Sequence, residues 1–101
     1  MWKWNVVYSI QCNKENCHTQ YIGETQRKIR ERFLDHKGYI VNQNFNQTTG
    51  CHFNQPGHSL ANLTISVLEK VKFDDTFYRR ERESYLIKKF ETHTNGLNIK
   101  P

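Results

Sequence analysis

The feature that most constrains the fold is a long polar stretch, from Tyr39 to Ala61, in a chain of only 101 residues. This stretch is rich in Asn, Gln and Gly, and it contains a turn signal at Pro56-Gly57. So long a loop without secondary structure is uncommon in a compact domain. A chain of this size also buries only a small hydrophobic core, so a structural metal would be a useful further source of stability. We therefore expect one domain, 1-101, whose long loop is held by a metal.

Two cysteines in the first polar loop and two histidines in the long loop are candidate zinc ligands: Cys12, Cys17, His52 and His58. Paired Cys or His ligands at such short spacings suit a tetrahedral structural site, because each pair can chelate the ion from one turn. Cys51 could replace its neighbour His52, and His18 is a weaker substitute. Three cysteines are an odd number, which argues against a disulfide framework.

The first part of the chain predicts a hairpin followed by a helix. Residues 5–11 are β-branched and aromatic, and residues 19–24 could pair with them. Thr25 is a candidate N-cap for a helix over residues 26–37, which Gly38 would end.

The second half predicts one more strand and one more helix. Residues 63–72 alternate between apolar and polar, and Asp74 or Asp75 would cap a helix that ends near Phe90. Four side chains of this helix are expected to face the core: Phe77, Ser84, Ile87 and Phe90. The predicted element order is ββαβα.

Basic residues favour a polyanionic partner. The net charge is +5, and a basic surface binds a phosphate backbone by releasing its counterions. The basic residues form two clusters, Arg27, Lys28, Arg30 and Arg32, and then Arg79, Arg80, Arg82, Lys88 and Lys89. The alternative is that these are solvated helix faces balanced by neighbouring acidic residues. No apolar run approaches the ~18 residues of a membrane span, so no membrane partner is expected.

Four short motifs follow one another in a suggestive order: Val6-Val7-Tyr8, Tyr21-Ile22-Gly23, Arg32 with His36, and Glu83 with Asn98. Together they resemble the GIY-YIG nuclease family. Tyr21-Ile22-Gly23 matches the second family motif, whereas Val6-Val7 stands where the first motif has Gly-Ile. The resemblance extends from Val6 to Asn98. It implies a small α+β GIY-YIG-like domain, with a three-stranded antiparallel sheet flanked by helices and a zinc-stapled loop.

The chain also resembles the zinc-containing branch of this family in Penelope-like retroelements. That branch has a Cys pair before the Tyr-Ile-Gly strand, then His-Phe, then Gly-His-Ser. The corresponding residues here are Cys12, Cys17, His52-Phe53 and Gly57-His58-Ser59. The resemblance therefore favours His52 over Cys51 as a ligand of structural Zn²⁺.

The resemblance implies six catalytic residues: Tyr8, Tyr21, Arg32, His36, Glu83 and Asn98. Arg32 would grip the scissile phosphate through its planar guanidinium, since such a group donates several hydrogen bonds in a fixed geometry. Glu83 would bind the catalytic Mg²⁺ or Mn²⁺, because Mg²⁺ prefers hard oxygen donors. Without the resemblance, Glu83 would be read as a surface residue paired with Arg79 or Arg80.

Tyr8 is the family's proposed general base. A phenol with a pKa near 10 is a poor base at neutral pH, so a nearby cation such as Arg32 would have to lower that pKa. His36 would relay the proton or accept a hydrogen bond. Asn98 would support the backbone of the site rather than take part in the chemistry.

The function implied is a divalent-metal-dependent DNA endonuclease that nicks a target for a mobile element. Arg27, Lys28 and Arg30 are the expected DNA-binding residues. The alternative is a catalytically silent, zinc-stabilised module that binds nucleic acid. For the endonuclease we expect an intracellular, nuclear location, and possible further domains in a longer polyprotein.

Overall fold

A β-hairpin begins the fold in the computed structural model, which describes residues 3–98. β1 (Trp4–Cys12) pairs antiparallel with β2 (Gln20–Lys28) on one side and with β3 (Leu63–Lys70) on the other. The sheet order is β2-β1-β3, so β1 is the central strand. This position agrees with its largely apolar sequence, since a central strand covered on both faces has little exposed surface, and only Trp4 and Gln11 of β1 are exposed. The ends of the predicted domain, residues 1–2 and 99–101, lie outside the described residues.

Four helices accompany the sheet within residues 3–98: α1 (Ile29–Val41), α2 (Thr48–His52), α3 (Thr76–Phe90) and α4 (Thr92–Asn95). A single 3₁₀ turn, Leu60–Asn62, precedes β3. The predicted α+β class and the three-stranded antiparallel sheet are confirmed, with α2 and α4 as short additions to the ββαβα order. None of the helices in the described range is long and apolar enough to cross a membrane.

The sheet carries a separate hydrophobic cluster on each face. The first contains residues of β1 and α1, including Val6, Tyr8, Ile10, Ile29 and Ile40. The second contains residues of the sheet and α3, including Val7, Ile22, Leu86 and Ile87. Alternate residues of a strand point to opposite faces, so Tyr8 lies on the α1 face and Val7 on the α3 face. Both helices also contact β2, an edge strand.

The predicted boundaries of α1 were wrong at both ends. Thr25 is not the N-cap, because it pairs with Val6 and the ladder continues to Lys28 opposite Trp4. The first three residues of the predicted helix, 26–28, therefore belong to β2 instead. Gly38 does not end the helix, which continues to Val41 and buries Ile40 in the core.

The core-facing prediction for α3 was only partly right. Asp75 is the N-cap, and its side chain accepts a hydrogen bond from the Phe77 N–H at 2.8 Å. Ile87 is buried, but Phe77 is 73% exposed and Phe90 is 44% exposed. The buried face instead includes Arg79, which lies about 200° around the helix from Phe77.

Candidate active site and metal-binding cluster

Tyr8 lies at the centre of the candidate site, in the middle of β1. Its side chain is completely buried, and its partner in the β1–β2 ladder is Gly23. A Cβ atom at residue 23 would lie 2.4 Å from the Tyr8 hydroxyl oxygen, which is far inside contact distance. Residue 23 of the Tyr21-Ile22-Gly23 motif must therefore be glycine, because the Tyr8 phenol occupies the space that a side chain would need.

Helix α1 brings an arginine and a histidine to this phenol. The Tyr8 hydroxyl lies 2.8 Å from His36 Nε2, and Arg32 Nε donates a hydrogen bond to the Tyr8 oxygen at 3.2 Å. Residues spaced i, i+4 lie on one face of a helix, so both side chains reach the same hydroxyl. The Tyr21 ring packs edge-on against His36, with the ring centroids 5.8 Å apart. The structure thus brings Tyr8, Tyr21, Arg32 and His36 together.

Two further residues of this cluster were not predicted from the sequence. The Tyr39 hydroxyl accepts a hydrogen bond from Arg32 Nη1 at 3.1 Å, and the Thr49 hydroxyl lies 2.7 Å from His36 Nδ1. Tyr39 follows His36 by one helical turn, so the helical period could have indicated it. Thr49 lies in the polar stretch, where no periodic pattern marks it.

Burial is the main influence on the pKa values of Tyr8 and His36. It raises the pKa of Tyr8 well above its ordinary value, and the charge of Tyr21 adds to this effect while Arg32 opposes it. We expected Arg32 to lower the pKa of Tyr8. The pKa is raised instead, because desolvation of the phenol outweighs the nearby cation. Burial, and then the positive charge of Arg32, lower the pKa of His36 to about 4. At neutral pH the phenol is therefore protonated and the imidazole is neutral.

Glu83 lies on α3, which packs on the opposite face of the sheet from α1. It is not hydrogen-bonded to the Tyr8 cluster, but its charge contributes to the raised pKa of both Tyr8 and Tyr21. Burial, and then the negative charge of Glu24, raise the pKa of the Glu83 carboxyl to about 7, while Arg80 opposes the shift. The carboxyl is therefore a partly buried group whose charge is poorly compensated by the protein.

The arginines beside Glu83 are held by other carboxylates. Arg79, with only 4% of its side chain exposed, pairs with Glu24 at 2.5 Å, and Arg80 approaches Glu24 at 3.8 Å. Arg82 forms a bidentate pair with Glu69, with both contacts at 2.8 Å. Within residues 3–98 no ion pair joins Glu83 to an arginine, so the interpretation of Glu83 as paired with Arg79 or Arg80 is wrong. Its carboxylate is available to a cation.

Asn98 connects the end of the described chain to the Tyr21-Ile22-Gly23 motif. Its Oδ1 accepts a hydrogen bond from the Ile22 N–H, and its Nδ2 donates one to the Ile22 carbonyl, both at 2.8 Å. The side chain thus acts as a short strand partner on the free edge of β2. This geometry agrees with a supporting role, because both polar atoms of the amide bond the backbone of Ile22, between Tyr21 and Gly23.

The predicted DNA-binding residues lie where β2 passes into α1. Arg27, Lys28 and Arg30 are all exposed. Arg27 is paired with Asp35 and more distantly with Glu31, so part of its charge is compensated. For Lys28 and Arg30 the described residues provide no ion-pair partner. These two side chains are the more available cations of the three.

A second cluster joins the hairpin loop to the long loop. One donor atom from each of Cys12, Cys17, His52 and His58 lies within 4.8 Å of all the others, so the group could hold a metal ion. Cys17 Sγ lies 3.6 Å from His52 Nε2. Tetrahedral Zn²⁺ with ordinary Zn–S and Zn–N bonds separates such atoms by about 3.5 Å. Cys51 and His18 are both exposed and outside the group.

One atom of this cluster supports its reading as a metal site. His58 Nε2 is buried and has no hydrogen-bond partner among the described residues. Buried polar atoms are normally satisfied, and an orphaned one calls for an explanation. A metal bound by all four residues would provide the missing partner, and two thiolates with two imidazoles are a donor set typical of structural zinc. The residues therefore fit the ion that the sequence predicted.

The unpaired carboxyl of Glu83 predicts a change in stability when its charge is removed. Its pKa of about 7 exceeds the ordinary value of 4.5, so ionisation destabilises the folded state fully above pH 7 and not below pH 4.5. Without added magnesium, Glu83→Gln should raise the free energy of unfolding at pH 8 by roughly 1–2 kcal/mol, allowing for partial exposure. Urea unfolding at pH 8 and pH 5 tests this, with the exposed Glu81→Gln as control. A gain that is absent at pH 8, or equal at both pH values, contradicts the assignment.

Comparison with known proteins identifies the family of this domain. The family described as GIY-YIG catalytic domain matches residues 4–98, which is nearly the whole chain. Neither the curated proteins nor the solved structures include a significant match to this chain. The family match implies a nuclease of the GIY-YIG type, a class that generally uses divalent metals and has DNA as its substrate. With its ordered tyrosines, arginine, histidine and glutamate, the chain belongs to the GIY-YIG family.

Proposed function

We propose that this domain is a divalent-metal-dependent DNA endonuclease that nicks one strand by hydrolysing a phosphodiester bond. The observation that carries the proposal is the junction at Tyr8, whose hydroxyl contacts both Arg32 and a neutral His36. Glu83 adds a carboxylate without an arginine partner. Phosphodiester hydrolysis needs an oriented water, a cationic clamp on the phosphate and a metal near the leaving oxygen. The proposed site has a residue for each need.

Arg32 is the clamp on the scissile phosphate. Its side chain is 24% exposed, and Nη1 donates to Asp35 at 3.2 Å and to Tyr39 at 3.1 Å. A phosphate oxygen is a stronger acceptor than a phenol, so DNA binding would draw the guanidinium away from the tyrosines. That rotation would also uncover the phenolic oxygen of Tyr8, which is sealed in the free protein. Catalytic hydrogen bonds of this kind often form only in the substrate complex.

Tyr8 and His36 move the proton of the attacking water. The Tyr8 O–H proton passes to His36 Nε2, and the phenolate oxygen takes a proton from the water. The resulting hydroxide forms the new P–O bond while the bond to the leaving oxygen breaks. The leaving oxygen takes a proton from the surrounding water, and His36 returns its proton to solvent before the next turnover. His36 is neutral at working pH, so its Nε2 lone pair is free, and the entering water and the negative phosphate would raise the pKa that burial and Arg32 hold down in the free protein. The half-buried Tyr21 lies against the same imidazole and would orient the water.

Glu83 would hold the catalytic Mg²⁺ or Mn²⁺. When bound, such an ion neutralises the developing charge on the leaving oxygen. Mg²⁺ commonly takes only one or two protein carboxylates and keeps several waters, so a single glutamate suffices as its protein ligand. The poorly compensated charge of Glu83 favours a cation at this position.

Zn²⁺ bound by Cys12, Cys17, His52 and His58 would be structural. Its four protein ligands leave no open position, which is the usual distinction between structural and catalytic zinc. The cluster supports the likeness to the zinc-containing branch in Penelope-like retroelements. We therefore propose that the domain nicks DNA for a mobile element, as part of a longer polyprotein in the nucleus. Arg27, Lys28 and Arg30 would follow the DNA backbone beside the clamp.

A plasmid-nicking assay tests the proposed activity. Glu83→Ala should reduce Mg²⁺-dependent nicking by at least about 100-fold, since transition-state charge stabilisation of this kind is worth two to three orders of magnitude. Its affinity for DNA should stay within about threefold of wild type. Glu81→Ala is the matched control on the opposite, exposed face of α3, and it should nick normally.

Two outcomes of this assay would overturn the proposal. Normal nicking by Glu83→Ala would remove Glu83 from the site. A wild-type protein that binds DNA but never nicks it, with Mg²⁺ or Mn²⁺, would identify a silent binding module.

Metal analysis tests the zinc cluster separately. Protein purified without chelator should contain about one equivalent of zinc, and Cys17→Ser should lose most of it because a hydroxyl is a poor zinc ligand. Cys51→Ser is the control, since Cys51 is exposed and outside the cluster. Zinc-free wild type, or equal zinc loss in both variants, would contradict the assignment.

A further inference from the structure

We propose that Thr49 is a positioning residue that fixes the tautomer of His36, and that α2 links this contact to the zinc cluster. The effect of Thr49 on catalysis rests on the proposed function, whereas its effect on the His36 tautomer can be tested without it. Nothing in the sequence pattern marks Thr49, which lies within the long polar stretch.

Thr49 and Tyr8 occupy the two ring nitrogens of one imidazole. Thr49 Oγ1 lies 2.7 Å from His36 Nδ1, and the Tyr8 hydroxyl lies 2.8 Å from His36 Nε2. Thr49 is 1% exposed and His36 is 2% exposed, so water does not compete for either contact. In a neutral imidazole one nitrogen donates and the other accepts, so the two contacts must have opposite roles.

The Arg32 contact decides which nitrogen carries the proton. Arg32 Nε–H can only donate, and it donates to the Tyr8 oxygen. The Tyr8 proton then needs an acceptor, and His36 Nε2 is the one that the described residues provide. His36 Nδ1 therefore carries the ring proton and donates it to Thr49 Oγ1. The hydroxyl of Thr49 stabilises this tautomer by accepting the hydrogen bond from Nδ1–H.

The tautomer matters because the opposite form blocks the proposed reaction. With the proton on Nε2, His36 would donate to the Tyr8 oxygen and could not receive its proton. The general principle is that the hydrogen bond at one imidazole nitrogen sets the role of the other. Loss of the Thr49 hydroxyl would leave Nδ1–H buried without a partner, and this cost would weaken the preference that Arg32 and Tyr8 impose and shift the population toward the other tautomer.

Helix α2 is held rigidly against the end of α1. A Cβ atom at Gly50 would lie 2.2 Å from the Asn44 carbonyl oxygen, just after α1, and 3.0 Å from the Tyr39 carbonyl oxygen within α1, so the α2 backbone is in close contact with both. Asn54 Nδ2 donates to the Ile40 carbonyl at 3.0 Å and to the Gly50 carbonyl at 2.7 Å. The same short helix carries Thr49 and ends at His52, a member of the metal-binding cluster. The cluster and the active site are therefore joined through one turn of helix.

The test is ¹⁵N NMR of the His36 ring nitrogens in zinc-loaded protein. Wild type should show a protonated Nδ1 and an accepting Nε2. Thr49→Ser keeps a hydroxyl and should keep this pattern, whereas Thr49→Val should shift the population toward the Nε2-protonated form. Thr48→Val is the matched control at the preceding residue of α2 and should behave as wild type.

Nicking kinetics provide the second readout. Thr49→Val should lower kcat at least about tenfold while KM for DNA stays within about twofold, because Thr49 does not contact DNA. Thr49→Ser should recover most of the rate. A general loss of structure would instead appear in the amide spectrum of β1 and β2, and Thr49→Ser would not separate from Thr49→Val.

A chelator titration tests the link to the zinc cluster. As zinc is removed from wild type, the His36 ring signals should change before the amide signals of β1 and β2 lose their dispersion. His36 signals that persist until the sheet unfolds would overturn the link. A wild-type His36 protonated on Nε2, or an unchanged pattern in Thr49→Val, would overturn the role of Thr49. These results stand whether or not the protein nicks DNA.

Discussion

The hydrogen bond between the Tyr8 hydroxyl and His36 Nε2 joins the central strand to α1, and the other parts of the site depend on it. Gly23 must lack a side chain because the phenol occupies that space. Arg32 reaches the same oxygen from the helical turn before His36. Thr49 holds the far side of the imidazole and thereby connects the site to α2. Tyr8, His36 and Thr49 are buried from water, which strengthens the contacts among them and makes an unpaired atom there costly.

Helix α3 carries an unpaired charge, Glu83, which is close enough to the Tyr8 cluster to contribute to the raised pKa of Tyr8 and Tyr21. Glu24 and Glu69 hold the arginines of α3 and leave Glu83 with a carboxyl that resists ionisation. An isolated helix would favour pairing of Glu83 with a neighbouring arginine, so this arrangement costs local stability. Such a cost is typical of functional sites, where a group is kept ready for a ligand rather than satisfied by the protein.

The sequence was sufficient for those features that depend on local pattern. The strands, the Asp75 N-cap and the i, i+4 spacing of Arg32 and His36 all follow from short-range rules. The remaining features depend on contacts between distant segments. Thr25 was misread because pairing with β1 outcompetes a helix cap. Arg79 was missing from the residues predicted to face the core because its partner Glu24 lies on β2, far away in sequence. Thr49 has no local signature, since its role comes only from the position of His36 in space.

The most direct test of the account is the single-turnover nicking rate of Tyr8→Phe at saturating Mg²⁺. This change keeps the buried ring and removes only the hydroxyl on which Arg32 and His36 converge. The rate should fall at least about 100-fold, as expected for the loss of a general base, with zinc content and DNA affinity unchanged. The exposed Tyr85→Phe is the control and should cut normally. A Tyr8→Phe rate within about threefold of wild type would contradict the account.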